Sequence, residues 1–383
     1  MIMRLIMQYI DDEDSYEFTR ASLLRGMLKN SGLQRHLDNK ENTEIAINRP
    51  FEIWTESSVG WQKHEAPKLD YATLTHMATA FATFNNLEIN KNNPICSGIF
   101  PDGQRGQVLI PTACESDTVS ITIRQPSEVR FSFSDYADSG RLDNWLDVST
   151  FQTENIQFPQ NQAKKMQEQA EEIKFLNEYL AIPDDVQLQL FELQMLKAKA
   201  DRDTKRFIDL AVKHEQNLCL IGATGSGKTT FTKAICDLVP ADTRIITIED
   251  THELDLPHHP NKVHLFYKDV SSKDLLKSTL RMKPDRIFLT ELRGDEAYDY
   301  LNALNTGHGG SITTVHANDC NSAYYRIGTL IKQSDVGSKI DFEQIMRDVY
   351  TTIDVMIYLE RTHVTEIAYD PIRKARLQKG KRI

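Results

Sequence analysis

Leu218-Cys219-Leu220-Ile221-Gly222-Ala223-Thr224-Gly225-Ser226-Gly227-Lys228-Thr229 decides the fold. Four apolar residues read as a buried strand, and G-x-x-x-x-G-K-[ST] follows with every fixed position filled. The glycines permit backbone angles closed to other residues, so successive N–H groups can point at one phosphate. A helix expected over 228–238 adds partial positive charge at its N-terminus. Lys228 is expected to reach the β- and γ-phosphates, and Thr229 to hold Mg²⁺. The candidate nucleotide-binding residues are Gly222, Ala223, Thr224, Gly225, Ser226, Gly227, Lys228, Thr229 and Thr230.

Downstream, short apolar runs alternate with helical patterns. RIITIE (244–249), RIFLTE (286–291) and SITTVH (311–316) read as further buried strands. Helices fit between them, near 272–282 and 294–305, and TTIDVMIYLE (351–360) reads as a late strand. Such alternation implies right-handed crossovers and a parallel sheet, whose strand C-termini build ligand sites. Glu291 closes one strand and is placed to polarise an attacking water or help hold Mg²⁺ through its shell. Glu249 closes another and is expected to orient water, with Asp250 only a turn former. His308 and His316 bracket a third strand, where they could sense a γ-phosphate. Metal binding by these two is disfavoured, because no Cys or carboxylate stands at ligand spacing beside them.

Upstream the pattern changes. TEIAIN (43–48) and FEIWTE (51–56) form a hairpin signal around Arg49-Pro50. Asp70 is a cap for a helix to about Asn86, with Leu74, Met77, Ala78 and Phe81 on one face. QRGQVLIP (104–111) and DTVSITIRQP (117–126) are again strand-like. FQTENIQFPQNQAKKMQEQAEE (151–172) holds six glutamines and no glycine, and reads as linker and then polar helix. A second helical stretch spans about 183–214, starting at Ile182-Pro183-Asp184-Asp185 and broken near Lys199–Asp203. The expected organisation is an N-terminal α+β domain (1–140), a helical linker (141–204) and an α/β phosphate-loop domain (205–383).

Composition narrows the function. The 383 residues are 40% apolar and 26% charged, enough for a sizeable core. A net charge of −10 disfavours a DNA-coating protein. No run approaches the roughly 18–20 apolar residues of a membrane span. The apolar opening MIMRLIMQYI is only ten residues long, and Asp11-Asp12-Glu13-Asp14 follows it, unlike a secretory signal. Five cysteines without a C-x-x-C pair fit a reducing cytosol. The last twelve residues carry six basic and no acidic side chains, and read as a frayed solvated tail.

Taken in order, G-A-T-G-S-G-K-T, I-E-D-T-H-E-L, a strand ending in E-L-R-G-D-E-A, and T-G-H-G-G-S-x-T-T-V-H-A-N resemble the Walker A, Asp, Walker B and His boxes of the secretion ATPase superfamily. IEDTHEL and TTVHAN most resemble its type IV secretion traffic ATPases, which power conjugation and effector export. The resemblance covers most of 43–140 and 205–360. It implies a RecA-like phosphate-loop motor domain with a smaller α+β N-terminal domain, ATP and Mg²⁺ as cofactors, and a homo-hexameric ring. It further implies nucleotide between the two domains, and arginines Arg105 and Arg124 reaching the γ-phosphate from the N-terminal one. Glu291, Glu249, His316, Arg124 and Arg105 are thus the candidate catalytic residues. Implied partners are inner-membrane secretion channel proteins and a coupling protein, at the cytoplasmic face of the inner membrane. Type II secretion or type IV pilus ATPases, and a RecA-like DNA translocase, are the alternatives. The sequence departs from the family in Thr290, where Gly is usual, and in a longer 150–195 connection.

Overall fold

The computed structural model describes residues 20–126, 133–139 and 160–381. The apolar opening, the acidic run behind it and the start of the 141–204 connection lie outside the described residues.

The N-terminal part opens with α1 (20–31) and the short α2 (Gln34–Leu37). Then come β1 (Glu44–Ile47), β2 (Glu52–Ser57), β3 (Gly60–Glu65), α3 (Tyr71–Phe84), β4 (Ile95–Ile99), β5 (Arg105–Leu109) and β6 (Ser120–Arg124). The strands form one antiparallel sheet, ordered β3-β2-β1-β6-β5-β4. Ile45, Ile47, Val108, Ile121 and Ile123 pack against Leu74, Met77 and Phe81 of α3 and Leu24 and Leu28 of α1. Each such fully buried side chain contributes about 1.5–3 kcal/mol. Asp70 caps α3 as expected, its carboxylate accepting from Thr73 N at 2.7 Å. The hairpin around Arg49-Pro50 also forms. β3 and β4 escape the sequence reading because both are edge strands, one mostly polar (GWQKHE) and one broken by Gly98.

Beyond α4 (Phe133–Asp138) come the polar helix α5 (Gln160–Tyr179), α6 (Leu190–Ala200) and α7 (Thr204–Lys213). The break between α6 and α7 falls where expected, with Asp203 accepting from Arg206 N at 3.0 Å. Helix α6 starts later than expected, at Leu190. Glu192 reaches back to Gln189 N at 2.8 Å and closes its first turn there. Met195 and Ala198 of α6 join Phe207 and Ala211 of α7 in the core under the second sheet.

That sheet is built from β7 (Leu218–Ile221), α8 (Lys228–Cys236), β8 (Ile245–Glu249), β9 (Lys262–Phe266), α9 (Ser272–Thr279), β10 (Arg286–Leu289), α10 (Glu296–Leu304), β11 (Ile312–Val315), α11 (Cys320–Gln333), α12 (Phe342–Thr352), β12 (Val355–Glu360), β13 (His363–Tyr369) and α13 (Pro371–Gln378). Its order is β13-β12-β7-β11-β10-β8-β9, parallel throughout except for the β12–β13 hairpin. This is the expected α/β, RecA-like motor sheet. The C-termini of β7, β8, β10 and β11 point to one edge, so the four sequence motifs meet there.

Up to residue 381 the basic tail is held rather than frayed. Asp370 caps α13, accepting from Arg373 N at 2.8 Å, and Pro371 opens it. Arg376 grips Asp185 with two bonds of 3.1 and 2.9 Å, and Lys381 binds the same carboxylate. Hydrogen bonds from Arg376 and Lys381 hold the Asp185 carboxyl well below its ordinary range. The Ile182–Asp185 segment, expected to start a helix, is instead the anchor for the basic tail.

The two sheets meet along β9. Ala113 O accepts from Phe266 N at 3.1 Å and Cys114 bridges to Leu265, so the stretch after β5 runs along the β9 edge. At the other end of the seam the fully buried Arg244 donates to Asn48 Oδ1 at 2.9 Å and Asn261 Oδ1 at 2.5 Å. Its guanidinium lies 5.1 Å from the Trp61 ring centre. Burial draws the Arg244 pKa down to about 10.

Candidate functional site

Backbone geometry shapes the loop after β7. Gly222, Gly225 and Gly227 take φ of 151°, 78° and 89°. At Gly222 a Cβ would lie 2.5 Å from Leu359 O, and the loop could not close against β12. Thr362, in the β12–β13 turn, donates its N–H to Ser226 O at 3.1 Å and ties the loop down. Lys228 Nζ donates to Gly222 O at 2.7 Å and Ala223 O at 2.9 Å, so the cation is held over the loop. Burial lowers its pKa, and the nearby Glu291 carboxylate opposes that shift. Thr229 Oγ1 donates to Glu253 Oε2 at 3.0 Å. A hydroxyl and a carboxylate held together at a helix N-terminus are the hard oxygen donors that Mg²⁺ takes.

The loop forms one wall of a cavity of about 570 Å³. Thr224 to Thr230 line it, together with Asp250, Glu253, Tyr267, Glu291, Arg293, His316 and Thr362. Such a volume suits a nucleotide-sized ligand. Glu291 sits between two cations or would-be cations: Arg293 Nη2 at 2.7 Å from Oε2 and His316 Nε2 at 3.4 Å from Oε1. Arg293 also reaches Asp250 at 3.2 Å. A carboxylate so oriented has a fixed face for accepting a water proton. Thr290 keeps its hydroxyl at 3.2 Å from Ile248 O, on the β8 side of Glu291.

Three expectations change. Glu249 is fully buried and does not line the cavity. Its carboxylate accepts from Glu253 N and Leu254 N, both at 2.9 Å, from Thr247 Oγ1 at 2.6 Å and from His264 Nδ1 at 3.2 Å. Burial alone would raise its pKa, but hydrogen bonds from His264, Thr247 and the two N–H groups hold it below the ordinary value of 4.5. With every acceptor site taken, Glu249 cannot orient a water. It shapes the turn that presents Asp250 and Glu253, and Asp250, read as a turn former, faces the cavity. His308 lies at the other end of β11, half-buried, and of the two histidines only His316 reaches the site.

Arg105 and Arg124 are also absent from the cavity of their own chain. Arg124 Nε lies 3.5 Å from Glu44 Oε1, and Arg105 pairs opposite Arg124 across the sheet. The row Glu56, Glu44, Arg124, Arg105 sits on the side where Lys283 Nζ binds Glu56 at 3.0 Å, just before β10. That is the starting end of the motor strands, and the cavity opens at the other end.

Glu253, Arg293, Tyr267 and Thr362 join the site without having been expected there. The first two stand inside the quoted IEDTHEL and ELRGDEA motifs. Tyr267 and Thr362 belong to the unexpected β9 and β13 neighbourhoods, with no local signal.

The buried role of Glu249 has a measurable consequence. Glu249→Ala strips four donors of their acceptor and should lower unfolding free energy by about 3–5 kcal/mol in urea titration. Because the folded pKa lies below the unfolded one, this stabilisation is present above about pH 4.5 and fades as pH falls below that. An unchanged urea midpoint at pH 7 would return Glu249 to the catalytic candidates.

A phosphate-gripping loop after a central parallel strand, faced by acids at neighbouring strand ends, places the chain among phosphate-loop proteins with a RecA-like sheet. Residues 180–359 match the family model described as type II/IV secretion system protein. The type IV secretion system protein VirB11 of Brucella suis is 37% identical over 361 residues, 90% of each chain. VirB11 of Bartonella quintana is 37% identical over 382 residues, 96% of this chain and 99% of its own. A crystal structure of the Brucella suis VirB11 ATPase in complex with sulphate covers 95% of this chain and 99% of its own, with a TM-score of 0.81 and 36% identity. The chain belongs to the VirB11 family of type IV secretion ATPases.

Proposed function

We propose that this chain hydrolyses ATP as one subunit of a homo-hexameric ring, and that the cycle powers type IV secretion by moving the N-terminal domain. The observation that carries this reading is the convergence of Lys228, Thr229, Glu291 and His316 on one cavity. Lys228 and the loop N–H groups would bind the β- and γ-phosphates. Thr229, with Glu253 beside it, would hold Mg²⁺, which neutralises charge on the phosphates when bound. Glu291, oriented by Arg293 and His316, would take the proton of the attacking water.

Arg105 and Arg124 would supply further contacts to the γ-phosphate, as the sequence resemblance implies. Their distance from the cavity of their own chain supports a contribution to a neighbouring subunit's nucleotide in the ring. A guanidinium arriving from another body makes its bidentate contact only while the third phosphate is present. The ring would work at the cytoplasmic face of the inner membrane against channel proteins and a coupling protein. No helix among the described residues is long and apolar enough to cross a membrane. A net charge of −10 gives no general attraction to nucleic acid, which favours passing force to channel proteins over tracking DNA. The boundaries at about 140 and 204 belong to the same proposal.

The test is phosphate release by the purified chain. Hydrolysis should require Mg²⁺, stop with EDTA and rise with assembly. No Mg²⁺-dependent release from assembled rings would overturn the reading. A double Arg105→Ala, Arg124→Ala variant should bind ADP like the parent and lose at least tenfold in ATP turnover, the size of one lost charge-assisted contact. Parent-like turnover would make the two arginines ordinary sheet-surface residues.

A further inference from the structure

Where the N-terminal sheet meets the motor, Glu115, His252 and His264 converge, with one ligating atom from each within 4.8 Å of the others. Glu115 comes from the connection between β5 and β6, in the N-terminal part of the chain. His252 follows β8 and His264 is the middle residue of β9. His252 Nδ1 lies 4.0 Å from Glu115 Oε1, and the two imidazole ring centres are 4.4 Å apart.

The hydrogen bonds around His264 fix its tautomer. Thr247 has one hydroxyl proton and gives it to Glu249 at 2.6 Å. The ionised Glu249 has none to give. His264 Nδ1, 2.8 Å from Thr247 Oγ1 and 3.2 Å from Glu249 Oε1, must therefore carry the ring proton and donate it. In the neutral ring the lone pair is then on Nε2. A buried imidazole whose Nδ1–H is held by a carboxylate is the arrangement that orients a metal-ligating histidine and raises its basicity.

We propose that Glu115, His252 and His264 form a Zn²⁺ site that clasps the N-terminal domain to the motor. Two imidazole nitrogens and a carboxylate select zinc over Mg²⁺ or Ca²⁺, and leave a fourth position for water. His264 is rigid and supplies the anchor, while the partly exposed His252 and Glu115 close on the ion. The clasp bears on the nucleotide cavity through one turn. His252 sits between Asp250 and Glu253, both of which line that cavity, and Glu253 holds Thr229. Zinc would thus hold the domain seam closed and fix the same turn that serves the phosphate loop.

Tag-free, nucleotide-free full-length protein, kept in excess Mg²⁺ to fill oxygen-only sites, is titrated with Co²⁺ and then Zn²⁺. One Co²⁺ per chain with the intense visible bands of four-coordinate cobalt, displaced by Zn²⁺, is expected. His252→Ala and Glu115→Ala, both at partly exposed positions that leave the core intact, should each weaken zinc binding about tenfold or more. A His258→Ala control, on the surface beside Asp237, should bind like the parent. Zinc should also slow hydrogen exchange in 110–119 and 262–266 together, in the parent and not in His252→Ala. Only weak six-coordinate cobalt in the parent, or parent-like zinc affinity in both variants, would overturn the site. Site-specific binding with no change of exchange in the seam would overturn the clasp. Because every arm is read without nucleotide, failure here is separate from failure of the ATPase reading.

Discussion

Lys228→Ala is expected to cut ATP hydrolysis by about a hundredfold or more and to weaken nucleotide binding by about ten- to a hundredfold. Lys228 is the cation of the phosphate loop, and a charge-assisted bond to a phosphate is worth about 1.5–3 kcal/mol. Its effect on turnover is larger, about 10²–10³-fold, because charge on the phosphoryl oxygens is redistributed in the transition state. The side chain also bonds the Gly222 and Ala223 carbonyls, so its loss slackens the loop that aims the N–H groups. Lys228→Arg should not restore activity, since a planar fork does not fit where a compact ammonium closes on two carbonyls. Phosphate release and titration with a fluorescent ATP analogue separate the two effects, and an unchanged unfolding midpoint shows that the fold survives. Turnover near that of the parent would place hydrolysis elsewhere.

Glu291→Gln is expected to keep ATP affinity and to cut hydrolysis by about 10²–10⁴-fold, the usual share of a positioned general base. Glutamine fills the same space and can still accept from Arg293, whose second partner Asp250 stays in place. What is lost is the negative oxygen facing His316 and the cavity. ATP should accumulate uncleaved on the variant, so single-turnover measurements would show binding amplitude without a product phase. Turnover within about tenfold of the parent would pass the role to Glu253 or Asp250, which line the same cavity.

The motor sheet was legible because each strand with a site residue is short, apolar and followed by a motif. LCLIG, RIITIE, RIFLTE and SITTVH all form, and β7, β8, β10 and β11 deliver their motifs to one edge. β9 and β13 were hidden for a physical reason. KVHLF sets the buried His264 against Glu249 between its apolar positions, and HVTEIAY carries Thr and Glu as an exposed outer strand does. Which acid works at the site could not be read from position alone. Glu249 and Glu291 both end a strand, but the turn after β8 folds its own N–H groups onto Glu249, whereas β10 leaves Glu291 facing Lys228 and His316. The C-terminal tail misled for a similar reason. Six basic residues look solvated in sequence, but Arg376 and Lys381 share Asp185, which lies 191 positions before Arg376. Arg105 and Arg124 were pointed out by family likeness, and no local pattern says which subunit's phosphate a sheet-surface arginine meets.

The most direct test of the account is an electron cryomicroscopy structure of the Glu291→Gln chain with ATP and Mg²⁺. A six-membered ring is expected, with an intact triphosphate on residues 222–229 of each subunit. The γ-phosphate should lie between Lys228, residue 291 and His316, with Arg105 and Arg124 arriving from a neighbour's N-terminal sheet. A triphosphate bound away from the 222–229 loop, or a loop left empty at saturating ATP, would contradict it.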